Sequence, residues 1–136
     1  MSYNVIVGIV PHNCGEILTN AAKQAGANGG TIIMARGVSP NGLVQILGFG
    51  DSPKDITYIV IDSDITQNVI DSIKKVTKNK KSKFGVLFST KVGTFFKSGE
   101  NSDIEFQTTI PEEKPMYKLI NVIVNKGYAE DAMAAA

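Results

Sequence analysis

Two eight-residue runs, "YNVIVGIV" at 3–10 and "DITYIVID" at 55–62, constrain the fold most. Both are rich in β-branched and apolar residues, and both read as buried strands. Each is followed by a helical pattern and then by another strand. After the first run Pro11 stops the strand, and Asn13 with Glu16 forms a capping pair for a helix start. Ile17, Leu18, Ala21, Ala22 and Ala25 then share one helical face. Gly26 ends that helix, as a residue free to take positive φ does. "GTIIMARG" (30–37) is the second strand. After the third strand, Asp64 and Gln67 form a second capping pair, and Ile65, Val69, Ile73 and Val76 form the buried stripe of a second helix. "TKNKKSK" (77–83) is a basic loop, and "FGVLFSTKV" (84–92) the fourth strand.

The order is therefore βαβ, a long connection, and βαβ. Two split units of this kind build a ferredoxin-like α+β sandwich: an antiparallel four-stranded sheet with two helices on one face. Strands one and three are apolar nearly throughout, so the helix-free face also needs a cover. Association of subunits supplies one. The connection from Val38 to Lys54 carries Pro40, Gly42, Gly48, Gly50 and Pro53, yet also Leu43, Val44, Ile46, Leu47 and Phe49. A long loop with that much apolar surface is functional, mobile, or contains a short hairpin.

The bulk numbers exclude several classes. A chain of 136 residues, 43% apolar, is long enough for one ordinary core. A net charge of +1 gives no global field toward nucleic acid or anionic lipid, and no basic face with interleaved aromatics is present. No apolar run reaches the roughly 18 residues of a membrane span. The single Cys14 forbids an internal disulfide and fits a reducing cytoplasm. One histidine serves the whole chain, so no Ser/His/Asp arrangement is visible, and His12-x-Cys14 lacks the partners of a tetrahedral metal site. No catalytic residue, metal ligand or enzyme activity is expected.

The end of the chain repeats its beginning. "YKLINVIVNKGYAEDAMAAA" (117–136) sets under "YNVIVGIVPHNCGEILTNAA" (3–22) without a gap. Tyr117 falls on Tyr3, Ile120 on Ile6, Ile123 on Ile9, Val124 on Val10 and Glu130 on Glu16. Internal repeats change the fold expected of a chain. The expected organisation is one domain over 1–110, a linker over 111–116, and the strand and helix that open a second, similar repeat over 117–136. An ordinary C-terminal strand and helix matching by coincidence is the alternative.

On these residues, "AGANGGTIIMARG" and "FGVLFSTKVGTFFKSGE", the chain resembles the PII-type (nitrogen regulatory P-II) signalling proteins over about residues 3 to 105, as the first half of a tandem PII-like protein. The resemblance implies a cytoplasmic trimer of ferredoxin-like subunits with adenine nucleotides in the clefts between them. ATP, ADP, AMP or a cyclic nucleotide would be the ligand. A long loop after strand two would report ligand state to a partner such as a membrane transporter or a metabolic enzyme, without insertion into the membrane. Gly29 and Gly30 would allow close approach of a ligand, Thr31 would offer a hydroxyl, and Arg36 and Gly37 would stand at the mouth of the loop. Lys81, Lys83 and Lys97 would meet phosphate. The family's phosphate loop is rich in glycine, whereas "NKKSK" has none, so side-chain ammonium groups replace a backbone cradle. In the loop, Leu43, Gln45, Ile46 and Phe49 would face the partner; the loop is short and lacks the family's tyrosine. The residues alone also allow plainer readings: Gly26 to Gly30 as a helix cap and turn, and the lysines as a solvated run. A ligand-free assembly module of the same fold and a cation-tolerance-type trimer are the other functions in view.

Overall fold

The computed structural model describes residues 2–37, 52–80, 84–95 and 119–135. The elements are β1 (Tyr3–Pro11), α1 (Gly15–Gln24), β2 (Thr31–Gly37), β3 (Ser52–Asp62), a 3-10 turn (Ser63–Ile65), α2 (Thr66–Thr77), β4 (Val86–Val92) and α3 (Ala129–Ala135). The four strands form one sheet in the order β2-β3-β1-β4. Every neighbouring pair is antiparallel. That is the ferredoxin-like α+β arrangement, with the two apolar strands β1 and β3 in the centre.

The two-residue period of the strands decides what is buried. Ile6 pairs with Ile59, Gly8 with Thr57 and Val10 with Asp55. These side chains face α1 and α2. Ile6, Val10, Ile59 and Ile61 join Leu18, Ala21, Ala22, Val69 and Ile73 in one core. The opposite parity, with Val5, Val7, Ile9, Ile33, Ile56, Tyr58, Val60, Val86 and Phe88, forms the second face; Val7, between Tyr58 and Phe88 at its centre, is buried by its neighbours. On it Ile33 is 47% and Val86 60% exposed. At one corner Phe95 packs on Tyr3, with ring centroids 4.9 Å apart.

Both helix starts differ from the expected capping pairs. Asn13 takes a left-handed φ of 68°, and Cys14 is the N-cap, with no side-chain hydrogen bond to the helix. The cap comes from another strand: Asp55 Oδ2 accepts the Gly15 N–H at 3.0 Å. Asp64 lies inside the 3-10 turn, and α2 starts at Thr66 after Ile65. Gln67 donates to Asp71 Oδ1 at 2.8 Å instead of reaching back to the cap. A tertiary carboxylate and a preceding turn thus take over roles that local spacing assigned to neighbours. Gly26 ends α1 with φ 105°, as expected. The α2 stripe is Val69 and Ile73, with Ile65 and Ile70 packed at its margin; Val76 is 41% exposed.

β3 begins at Ser52, so Ser52, Pro53 and Lys54 are strand and not loop. Pro53 is tolerated at that strand start, and its carbonyl accepts the His12 N–H at 3.2 Å. The expected linker, 111–116, and the rest of the connection, 38–51, lie outside the described residues. At the C-terminus α3 is present, whereas residues 119–125 form no strand and make no sheet pairing with the described residues.

Candidate functional site

β2 is an edge strand, and the expected ligand residues flank its two ends. Gly29, Gly30 and Thr31 sit at its start, Arg36 and Gly37 at its finish. Six strand steps of about 3.3 Å separate Thr31 from Gly37, roughly 20 Å. One small ligand cannot touch both groups within a single chain. They are two separate groups at opposite ends of one edge strand.

The two glycines at the start are not alike. A Cβ on Gly29 would meet nothing within 4 Å, so the backbone there is open to an approaching group. A Cβ on Gly30 would lie 3.0 Å from Ile59 Cγ1, 3.0 Å from Thr19 Cγ2 and 3.2 Å from the Tyr58 carbonyl oxygen. Gly30 is therefore small because α1 and β3 close over it. Thr31 pairs with Tyr58 and shares its face of the sheet. At the other end Gly37 pairs with Ser52 in ordinary strand conformation. The Arg36 guanidinium reaches Glu130 of α3, Nη2 to Oε1 at 3.4 Å. Both partners are exposed, so this pair contributes little to stability.

Of the remaining expected residues, Lys81, Lys83 and Lys97 lie outside the described residues, as do Leu43, Gln45, Ile46 and Phe49. Lys80, just before the first of these, holds its ammonium 5.8 Å from the Phe84 ring centroid. An open groove of about 510 Å³ lies between α2 and β4, lined by Ile70, Lys74, Thr77, Phe84 and Leu87 among others. It stands at the sheet edge opposite β2. Among the described residues no group of three or more His, Cys, Asp or Glu is placed to hold a metal, and no helix is long and apolar enough to cross a membrane.

Among the described residues, a polar cluster around the buried Asp55 is not indicated by the sequence patterns above. His12 Nδ1 donates to Asp55 Oδ1 at 2.8 Å, while Asp55 Oδ2 holds the start of α1. The His12 hydrogen bond, more than any other contact, holds the Asp55 carboxyl below its usual range; the N–H groups of Gly15 and Asn13 act in the same direction, and burial opposes them. A signal was present. Asp55 shares the inward parity of Thr57, Ile59 and Ile61, and a carboxylate there must find donors.

A crystal structure of Arabidopsis thaliana PII bound to citrate superposes with a TM-score of 0.50. The match covers 65% of this chain and 75% of that one, at 19% sequence identity. The fold is PII-like. No family model matches the sequence, and none of the curated proteins does. The PII-like fold is thus carried by strand order and core parity, with little sequence identity behind it.

Proposed function

We propose that the chain is a non-catalytic signal-transduction regulator of the PII-like kind. It binds an adenine nucleotide or a related anion at clefts between subunits and acts on a partner through residues 38–54. The observation that carries this reading is the PII-like fold with its glycine-flanked strand β2 at the sheet edge. Two separate groups about 20 Å apart on one edge suit a cleft completed by a neighbour, which brings the start of one strand near other groups. The uncovered apolar face supports a homo-oligomer, for which we propose a trimer. Lys81, Lys83 and Lys97 supply charge for phosphate, with Arg36 at the loop mouth. Leu43, Gln45, Ile46 and Phe49 meet the partner, a transporter or metabolic enzyme in the cytoplasm, with nitrogen status as the signal. Ligand binding shifts the loop population only as far as its affinities for the two loop states differ.

The test is a thermal-shift panel with ATP, ADP, AMP, cyclic nucleotides and citrate, each with and without magnesium. Citrate is included because the Arabidopsis PII structure holds it. A ligand bound only by the native state adds about 2.7 kcal/mol at a hundred times its Kd. A midpoint rise with one nucleotide is expected; a flat panel on a protein shown to be trimeric refutes the sensor. A second reading, an assembly module without ligand, is favoured by Gly30, whose small size is explained by packing alone.

A further inference from the structure

We infer that residues 117–135 are the opening β-α unit of a second PII-like domain, and that the partner of 119–125 is a further sheet that flanks it on both sides, as β3 and β4 flank β1. The gapless register of Tyr117 on Tyr3 is reproduced in backbone geometry. Gly127 falls on Asn13, and both are left-handed, with φ 95° and 68°. Tyr128 falls on Cys14 and Asn125 on Pro11. The Tyr128 N–H donates to the Asn125 carbonyl at 3.1 Å, as the Cys14 N–H donates to the Pro11 carbonyl at 3.0 Å. Ala129, where α3 starts, falls on Gly15, where α1 starts.

The side chains carry the equivalence further. In the first unit Gly8 is pressed from two sides: a Cβ at position 8 would lie 2.5 Å from Leu18 Cδ1 on α1 and 2.8 Å from Thr57 Oγ1 on β3. In the same register Val122 replaces Gly8, and Ala132 replaces Leu18. Gly with Leu and Val with Ala hold the same number of side-chain carbons. If 122 and 132 meet in the second domain as 8 and 18 do in the first, the large and small members are exchanged with the volume kept, which is the exchange a packed core tolerates.

Among the described residues, 119–125 pair with no strand. Ile120 falls on Ile6 and Val124 on Val10, both buried in the first unit. Here Ile120 is 78% exposed, and Ile123 is 99% exposed. A β-branched segment whose equivalent has a neighbour on each side is matched by two antiparallel strands. Because Ala129 stands where a Cβ on Gly15 would lie 2.9 Å from Ile32 Cγ2 and 3.1 Å from Asp55 Cβ and Oδ2, the further sheet needs more room at the positions of both Ile32 and Asp55.

The compensation is tested in the 136-residue protein with Gly8→Val, Leu18→Ala and the double variant, by melting midpoint. Gly8→Val alone is expected to melt far below the parent or not to fold. The double variant is expected to melt above Gly8→Val. Because Thr57 Oγ1 also stands 2.8 Å from a Cβ at position 8, the same pair is measured in a Thr57→Ala background; a double variant no better than Gly8→Val in both backgrounds overturns the equivalence. Hydrogen exchange on the parent protein tests the missing sheet. Fast exchange throughout 119–125, with β1 protected and Ile123→Lys leaving the oligomeric state and midpoint unchanged, is expected. Protected amides in 119–125, lost in Ile123→Lys together with the oligomer, would show strand addition to a neighbouring copy and overturn the inference.

Discussion

Gly29→Ala and Gly30→Ala separate the packing role of the two glycines from a ligand role. At Gly30 the new methyl would stand 3.0 Å from two carbons whose comfortable separation is about 3.5–4.0 Å. Ile59 is fully buried and Thr19 buried, and the Tyr58 carbonyl belongs to a strand paired on both sides. Little can give way. Overpacking of this kind costs about 1–3 kcal/mol, while losing a glycine from the unfolded chain returns about 0.4–1 kcal/mol. The net expectation is a loss of about 1–2 kcal/mol, or a midpoint lowered by roughly 5–10 °C. At Gly29 there is no neighbour within 4 Å and φ is not positive. Only the entropic gain remains, so Gly29→Ala is expected to hold or slightly raise the midpoint. Calorimetric melts of both variants, followed by nucleotide titration, form the assay. The reasoning is refuted if Gly30→Ala is as stable as the parent. If that variant instead keeps its stability and loses a ligand, Gly30 belongs to a cradle and not to the core.

Ile59→Ala empties the centre of the sheet and is expected to cost about 3–4 kcal/mol in denaturant melts. Asp55 has a depressed folded-state pKa, so its stabilising contribution is present above the unfolded value near 3.8 and lost as pH falls through the folded one. Asp55→Asn should therefore lower stability at neutral pH and flatten the midpoint-versus-pH curve in the acid range; an unchanged acid limb contradicts the network. Val86→Lys, on the uncovered face, is expected to convert the proposed trimer to monomer by light scattering at micromolar concentration. Lys83→Ala and Arg36→Ala should each weaken nucleotide binding in calorimetry with the trimer intact.

The architecture was legible in the sequence because strand and helix periods are local. The runs at 3–10 and 55–62, the stripe of Leu18, Ala21 and Ala22, and the stop at Gly26 each depend on residues a few positions apart. Those signals suffice for the βαββαβ order and hence for a ferredoxin-like sandwich. Boundaries shifted where a neighbour in space supplied a bond: Ser52 to Lys54 joined β3 because β2 and β1 lay alongside. The candidate site was only partly legible. Sequence could nominate Gly29, Gly30, Thr31, Arg36 and Gly37 together, since they bracket one strand; only the extended strand puts them at opposite ends. Nor does spacing distinguish a glycine left open, like Gly29, from one pressed by Ile59 and Thr19, like Gly30. The Asp55 cap on α1 joins residues forty positions apart, and no local pattern could have displaced Asn13 in its favour. Chain-local periodicity determined which elements form and which faces they bury. Contacts between distant elements decided which small, charged and capping residues serve the core and which face the edge where a ligand can approach.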